Sequence, residues 1–388
     1  MSDILFLQFY LNYRNSNSFC NGFSDTYDLC KSKGDFYWVE QETMNQIELP
    51  IKKGTIYVSA YFSDHMYQVY KWAKEYPDIK FVVGGPAILC RYKLEKEIFS
   101  KNIEISTKSV EEYFGVQNFS GDWKFDVPDS IVNRYNTLWI SYTLDTSCDW
   151  SRCIFCNYYF DEIRKRKIEQ VSDFNGIRKF IDDYKDMKKF IRLNSPGITP
   201  YYINNFLNRL PVDDISYDVL MRCGRLENKA LDNTFNNWIG EKPNLKWRLG
   251  LEYPTERMLK YMYKGFTQKE ILSTAEILSK NNIQIALMFM IGWPNLTEND
   301  VSELGKFLDK LPPIQQVSIY RVFCKHETKL HDMYINEIER KSYVGPFYKG
   351  YFPKLNKEQL RLNYKSANLI YDKFSDTIFT DFTQGILK

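Results

Sequence analysis

Three cysteines, Cys148, Cys153 and Cys156, lie within nine residues of one another in the spacing C-x4-C-x2-C. Thiolates packed this closely repel one another, so such a group indicates metal binding more often than free thiols. No fourth cysteine or histidine follows at the spacing of a structural zinc site. Three cysteines on one loop suit a [4Fe–4S] cluster with one iron open to another ligand. Zinc with a distant fourth ligand and purely structural thiols stay open as alternatives.

A strand predicted over residues 138–142 leads directly into these cysteines. From there to about residue 323, apolar residues recur with strand and helix periods in turn, through about six strand–helix units. Consecutive units of this kind predict a (β/α) barrel or a large part of one. The cysteines would then lie at the carboxyl ends of the strands, where active sites of barrels form.

A second unit precedes the barrel. A strand over 55–61, an amphipathic helix around 66–73 and a strand over 79–83 end at Gly84–Gly85–Pro86. This order predicts a Rossmann-like parallel sheet, whereas the segment 11–48 has no clear pattern. Residues 115–136 have few periodic apolar positions and are the predicted linker. The expected α/β architecture is a Rossmann-like domain (1–125), a partial barrel (126–325) and a helical C-terminal extension (326–388).

The chain resembles the radical S-adenosylmethionine (SAM) superfamily beyond its cysteines. Phe155 matches the aromatic residue that precedes the last cysteine of that family. Residues 250–267 resemble its "GIES…L…KG.T" block, and residues 290–300 resemble its "G-x-P-x-x-T-x-x-D" block. The blocks occur in the family's order, but the usual cysteine spacing is C-x3-C-x2-C, so this loop has one extra residue.

The resemblance implies that Cys148, Cys153 and Cys156 bind a [4Fe–4S] cluster whose open iron binds SAM. One-electron reduction would cleave SAM to a 5′-deoxyadenosyl radical, which abstracts a hydrogen atom from a carbon of the substrate. The implied contacts with SAM are those of Phe155 and Tyr158 with the adenine, Asn194 and Ser195 with the methionine amino group, Arg222 with the carboxylate, Glu252 with the ribose and Gly292 with the adenosine.

Simpler roles stay open for several of these residues. The family's Gly-Gly-Glu motif is absent at Asn194 and Ser195, which precede Pro-Gly and could be turn formers. Arg222 could be a salt-bridge partner, and Glu252 could cap a helix. Gly292 is needed for chain reversal whatever binds there.

Residues 55–90 resemble the end of the cobalamin-binding domain found in one large radical SAM class, many members of which are methyltransferases. The usual D-x-H-x-x-G motif is missing, and His65 lies at a different strand end. Bound cobalamin therefore stays open. The contexts of the N-terminal cysteines do not match those of the methylthiotransferases.

The sequence says least about what the radical reaction does to the substrate. The favoured expectation is epimerisation or cross-linking of a ribosomally synthesised peptide, and the alternative is cobalamin-dependent C-methylation of a peptide or small natural product. Epimerisation needs a hydrogen donor, for which Cys324 and Cys223 are candidates. Each could instead be an inert core residue.

The amino-acid composition narrows the classes of molecule that the protein is expected to bind. The 388 residues carry a formal net charge of +3, with 44 % hydrophobic and 26 % charged residues. This is a globular balance that points neither to nucleic acid nor to a membrane surface. The N-terminal decapeptide resembles a strand more than a signal peptide, so a cytoplasmic location is expected. The expected partners are a peptide or small-molecule substrate and a one-electron reductant such as flavodoxin or ferredoxin.

Overall fold

The structure is a computed structural model. It describes residues 3–13, 16–19, 23, 27–41, 43–60, 63–85, 100–106, 108, 110–116, 132, 137–143, 148, 150–156, 174–212, 214–324, 328–344 and 347–382. The predicted linker therefore lies almost entirely outside the described residues.

The N-terminal unit is a Rossmann-like sheet, as the sequence predicted. Its central strands run parallel in the order β3-β1-β4-β5-β6, and β2 pairs with β1 in the antiparallel direction. The elements are β1 (Ile4–Tyr13), β2 (Ser16–Phe19), α1 (Tyr27–Lys33), β3 (Asp35–Glu40), β4 (Gly54–Ser59), α2 (Ser63–Glu75), β5 (Ile79–Gly84), β6 (Ile103–Ile105) and α3 (Val110–Phe114).

Alternation along β1 explains how this sheet is covered on both faces. Leu7 and Phe9 belong to a buried cluster with Val69 and Trp72 of α2, whereas Phe6 packs on the opposite face. Successive side chains of a strand point to opposite faces, so an apolar β1 requires cover on both sides.

The second unit contains six parallel strands joined by helices, which the apolar periods had predicted. Among the described residues of this unit, helix α6 (Arg225–Asn236) is long and the periods did not predict it. The elements are β7 (Thr137–Thr143), α4 (Asn175–Asp183), β8 (Lys188–Ile198), α5 (Pro200–Phe206), β9 (Ile215–Met221), α6 (Arg225–Asn236), β10 (Asn244–Glu252), α7 (Glu256–Tyr261), α8 (Gln268–Lys280), β11 (Gln284–Ile291), α9 (Glu298–Leu308) and β12 (Gln316–Arg321).

Helix α9 begins with a capping box, which the spacing of Thr297 and Asp300 indicates. The Thr297 side chain accepts a hydrogen bond from the Asp300 backbone N–H, and the Asp300 carboxylate accepts one from the Thr297 backbone N–H at 2.8 Å. Arg257 of α7 also donates to this buried carboxylate. The cap of α9 therefore ties two helices together.

The strands β7 to β12 curl into a partial barrel. Arg192 of β8 interacts electrostatically with Tyr320 of β12, although β9, β10 and β11 lie between them. In a flat sheet these strands would be about 19 Å apart. The sheet must therefore bend, which leaves an inner face, called here the lumen, and an outer face packed against helices.

The Rossmann-like sheet and the barrel form one continuous sheet. β2 pairs in parallel with β7 through Asn17 opposite Leu138 and Ser18 opposite Trp139. Because β7 leads into the cysteines, the N-terminal unit is joined directly to the strand that precedes the candidate site.

The C-terminal extension contains strands as well as the predicted helix. The elements are α10 (Lys329–Tyr334), the antiparallel pair β13 (Ile338–Val344) and β14 (Phe347–Pro353), the long helix α11 (Lys357–Lys373) and β15 (Ile378–Phe382). β15 pairs in parallel with β12 and adds one strand to the barrel. Among the described residues, no helix is long and apolar enough to cross a membrane.

Helix α11 holds the turn that follows β11. The Asn363 Oδ1 atom accepts hydrogen bonds from the backbone N–H groups of Gly292 at 2.7 Å and Trp293 at 3.1 Å, and its Nδ2 atom donates to the Trp293 carbonyl at 3.0 Å. Asn363 is fully buried. One side chain therefore satisfies three backbone groups of a turn that the sequence had assigned to the SAM site.

We predict that Asn363→Ala lowers the free energy of unfolding by about 3 kcal/mol, because it leaves buried backbone groups without partners. The measurement is the urea midpoint by circular dichroism. Tyr364→Ala, at the partly exposed neighbouring position, is the control and should change it little. Equal midpoints for the two variants would contradict the anchoring role.

Candidate active site

The cysteines lie in a loop, residues 148–156, called here the cluster loop. Its backbone is held on both sides: the Ile154 N–H donates to the Met262 carbonyl at 3.2 Å, and the Leu330 N–H donates to the Ile154 carbonyl at 2.9 Å. The Trp150 indole N–H donates to the Tyr263 carbonyl. Segments more than a hundred residues away thus determine the shape of this loop.

The three thiols are close enough to influence one another. Burial raises the pKa of Cys153 to about 11; Lys264 opposes this shift, whereas Cys156, Glu252 and Cys148 add to it. A metal ligand must be a thiolate, so binding at this loop has to displace protons. The donor set fits a thiolate-bound centre with a nearby cation.

Among the described residues, no three His, Cys, Asp or Glu side chains are arranged to hold a single metal ion. A four-iron cluster sets a different requirement, because each of its cysteines binds a different iron.

Lys264 is a buried cation beside the thiols. Its Nζ atom lies 3.2 Å from a carboxylate oxygen of Glu252 and 5.5 Å from the centre of the Phe155 ring. Burial lowers its pKa, but Glu252 and Cys153 outweigh burial and raise the pKa overall. The sequence did not single out Lys264 as a site residue, although it stands in the "KG" of the block that resembles the radical SAM family.

Glu252 does not cap a helix. It has a φ of 60° and follows an irregularity in the pairing of β10 with β11. The N-cap of the next helix, α7, is Thr255. The left-handed backbone at Glu252 directs its carboxylate to Lys264, so the alternative role considered from the sequence is wrong.

Trp150, a residue of the cluster loop, packs against Arg222 at the end of β9 and against Gly265. Its ring lies 4.7 Å from the guanidinium carbon of Arg222. Gly265 has a φ of 71°, and a Cβ atom there would lie 2.1 Å from the indole ring. Gly265 is therefore required both by its backbone and by the close approach of Trp150.

Arg222 has one ion pair and one donor without a partner. Its Nη1 atom lies 3.4 Å from the Glu227 carboxylate, as the salt-bridge alternative predicted. Its Nε atom is buried and has no hydrogen-bond partner among the described residues. A buried donor without a partner costs free energy, and a carboxylate ligand would remove that cost.

The other predicted SAM contacts are placed in part. Phe155 packs edge-to-face on Trp293, with ring centres 6.0 Å apart, next to Gly292. The backbone of Asn194 and Ser195 belongs to β8, where the pairing with β9 is irregular. Their side chains and Tyr158 lie outside the described residues.

Cys223 and Cys324 are fully buried in the barrel's apolar core. Burial raises the pKa of each thiol to about 12. A hydrogen donor must reach the substrate, so these contacts favour the core role for both. Their assignment as donors stays a prediction.

The carboxyl edge of the Rossmann-like sheet presents backbone without side chains at Gly84–Gly85. Gly85 has a φ of 95°, and a Cβ atom there would lie 2.7 Å from the Ala60 carbonyl. His65 is not exposed at this edge: its ring stacks on Phe9 at 3.7 Å, and its Nε2 atom lies 2.9 Å from the Gln41 amide oxygen. Burial lowers the pKa of His65 to about 3, so it is a neutral core residue.

We predict that Gly265→Ala lowers the iron and sulfide content after anaerobic reconstitution, because the new Cβ displaces Trp150 and with it the cluster loop to which Trp150 belongs. Gly240→Ala is the matched control: Gly240 also has a positive φ, 86°, but no atom lies within 4 Å of the added Cβ. Both variants carry backbone strain of about 1 kcal/mol. Equal iron contents in the two variants would contradict the role of the Trp150 contact.

The comparisons with solved structures agree with this architecture. The cobalamin-dependent SAM radical enzyme OxsB with aqua-cobalamin bound aligns over 95 % of this chain and 67 % of its own, with a TM-score of 0.62 and 12 % identity. OxsB with aqua-cobalamin and SAM bound aligns over 95 % of this chain and 66 % of its own, with a TM-score of 0.63 and 13 % identity.

A radical SAM methyltransferase is also similar. TsrM from Kitasatospora setae, with tryptophan substrate and a SAM analogue bound, aligns over 96 % of this chain and 89 % of its own, with a TM-score of 0.63 and 9 % identity. No protein-family description matches the sequence, and no curated protein matches it.

The chain thus spans about two thirds of the length of OxsB and most of that of TsrM. The alignments include the N-terminal sheet, so the likeness is not limited to the barrel. The chain has the fold of the cobalamin-dependent radical SAM enzymes, as its sequence resemblance predicted.

Proposed function

We propose that this protein is a radical SAM enzyme whose cluster is bound by Cys148, Cys153 and Cys156. The observation that carries the proposal is the grouping of three cysteines on one loop with the buried Lys264–Glu252 pair, where Cys153 interacts with both of the other thiols, in a fold shared with OxsB and TsrM. When bound, a [4Fe–4S] cluster and SAM supply a 5′-deoxyadenosyl radical by one-electron cleavage.

The residues around the thiols have distinct tasks in this proposal. Lys264 balances part of the thiolate charge and holds Glu252 in place. The Arg222 Nε atom is a buried donor for the carboxylate of the SAM methionine, and the Trp150 ring supports the guanidinium from one side. Phe155 and Trp293 form an apolar wall that keeps water from this end of the lumen.

We propose in addition that the N-terminal domain binds cobalamin. OxsB is described as cobalamin-dependent and is similar over nearly the whole chain. The residues fit the group at one point: Gly84 and Gly85 place glycines without side chains at the carboxyl edge of the sheet, where ligands of such sheets bind. His65 is not the cobalt ligand in this proposal, because its ring is enclosed by Phe9 and Gln41.

Methyl transfer to carbon is the reaction that the domain order favours. TsrM, which has a similar fold, is described as a methyltransferase. Cobalamin supplies a methyl carrier when bound. Epimerisation or cross-linking of a ribosomal peptide, the reaction favoured from the sequence, stays a prediction. The burial of Cys223 and Cys324 gives that reaction less support.

A reductant has a suitable surface next to the cluster loop. A cavity of about 700 Å³ is lined by Ile154, which lies between two of the cysteines, by Tyr261 and by the exposed cations Lys260 and Lys329. An acidic electron-transfer protein such as flavodoxin or ferredoxin would meet opposite charge there. This surface is where we propose that the reductant binds.

We predict that the reconstituted protein forms 5′-deoxyadenosine from SAM and dithionite, measured anaerobically by mass spectrometry. Cys153→Ala should abolish both the cluster and the product. Cys324→Ala, which removes a buried thiol far from the loop in sequence, should retain both. A full cluster in Cys153→Ala would contradict the ligand assignment. Retention of added hydroxocobalamin, read from its visible absorbance, tests the N-terminal domain separately.

We predict that Lys260→Glu slows reduction of the cluster by flavodoxin severalfold at low salt, whereas reduction by dithionite is unchanged. The reason is that only a protein donor uses the charged surface. Lys306→Glu makes the same charge change on an exposed position of α9 and is the control. If the two variants slow flavodoxin equally, the effect is one of net charge and the proposed surface is wrong.

A further inference from the structure

Several charged side chains of strands β8, β9 and β10 lie on the lumen face. On β8, β9 and β10, alternate residues such as Ile191, Val219 and Trp247 belong to the core that packs against the helices. Their neighbours in sequence point to the opposite side of the strands. Four of these neighbours, Arg192, Asp218, Lys246 and Arg248, are defined here as the lumen patch.

The lumen patch has one ion pair with full hydrogen bonds. The Arg248 Nε atom lies 2.6 and 2.7 Å from the two carboxylate oxygens of Asp218. Despite burial, which lowers it, these bonds raise the pKa of Arg248. This single pair satisfies the only carboxylate of the patch.

Two further cations face the same carboxylate without bonding to it. The Arg192 Nη2 atom lies 3.9 Å and the Lys246 Nζ atom 4.0 Å from an oxygen of Asp218. Both distances exceed hydrogen-bonding range. The four residues of the patch therefore hold two more cations than carboxylates in one part of the lumen.

Both burial and the charge of neighbouring cations lower the pKa values of Arg192 and Lys246. The pKa of Arg192 is lowered by burial and then by the charge of Arg248. Burial also lowers the pKa of Lys246, and both arginines of the patch add to that shift. The attraction of Asp218 opposes these shifts only in part, so a further anion would stabilise both cations.

The exposed fractions of the four side chains differ, and a ligand needs at least one of the cations to be accessible. The Asp218 side chain is 3 % exposed and that of Arg248 is 11 % exposed, whereas that of Arg192 is 48 % exposed. The paired groups are thus enclosed, Lys246 is mostly buried at 18 % exposure, and Arg192 is the cation of the patch that faces open space in the lumen. Trp139 and Phe190 stack below it with ring centres 4.7 Å apart, and the Lys246 Nζ atom lies 5.4 Å from the Trp139 ring.

The patch lies below the candidate SAM site along strands β9 and β10. Arg248 and Glu252 are four residues apart on β10, and Asp218 and Arg222 are four residues apart at β9. Four residues of a strand extend about 13 Å. A molecule bound to the patch at one end would therefore present atoms several bonds away to the cluster end of the lumen.

We propose that the lumen patch binds an anionic group of the substrate, a carboxylate or a phosphate, and thereby orients the reacting carbon towards the cluster. The proposal names the substrate class of the site described under the proposed function and rests on that function. Arg192 and Lys246 contact the anion directly. Arg248 balances the charge of the Asp218 carboxylate, and the stacked rings of Trp139 and Phe190 lie below the anion.

The test is the binding of inorganic phosphate and of succinate, measured by isothermal titration calorimetry at constant ionic strength on the full-length protein. We expect the wild type to bind at least one of the two. Arg192→Gln should weaken that binding about tenfold, the usual scale for loss of one charge-assisted contact. Arg178→Gln, at an exposed position of α4, should leave it unchanged. Phosphate binding alone would identify a phosphorylated substrate, and succinate binding alone a carboxylic acid.

Arg192→Lys separates the loss of charge from a loss of folding. It keeps the cation, so it should bind within about threefold of the wild type. The proposal is overturned if the wild type binds neither anion, or if Arg192→Gln binds as the wild type does. The assay needs no cleavage of SAM. Anion binding without 5′-deoxyadenosine would contradict the proposed function, and the reverse result would contradict the lumen patch alone.

Discussion

The placement of a buried lysine between thiols and a carboxylate is the constraint on which the site depends. Lys264 is almost fully buried, which is costly for a cation unless negative charge surrounds it. Glu252 supplies one such charge at 3.2 Å, and the Cys153 thiol of the cluster loop supplies another when it ionises. The pair is thus prepared for a site whose ligands become anionic.

This constraint connects to the backbone around it. Glu252 reaches Lys264 only because it adopts a left-handed conformation at the end of β10. The residue after the lysine, Gly265, must lack a side chain because Trp150 fills that space. Trp150 in turn supports Arg222. The lysine, the strand irregularity, the glycine and the aromatic contact therefore belong to one site and depend on the same stretch of backbone.

The sequence predicted most of the secondary-structure elements, but few of the contacts between side chains that are distant in sequence. The cysteine spacing, the strand–helix periods and the capping box at Thr297 are local patterns, and each is present in the structure where the described residues include it. The contact of Trp150 with Arg222 and the anchoring of Gly292 by Asn363 join residues about seventy positions apart. The pattern of a single sequence does not show which residues at such a separation are in contact. The strands within residues 11–48 were not predicted for another reason: they are short, and their apolar residues are not periodic.

The lumen patch shows why polar residues in barrel strands are hard to interpret from sequence. Alternation identifies Ile191, Val219 and Leu249 as core, and it leaves their polar neighbours to be read as solvent-exposed. In a curled sheet those neighbours face one another instead, so charges from three strands share one space. Their repulsion disfavours the folded chain, and it is relieved when an anion is bound. Sequences that keep such charges retain a cost to folding that binding offsets, which is the usual relation between a functional site and the stability of its fold.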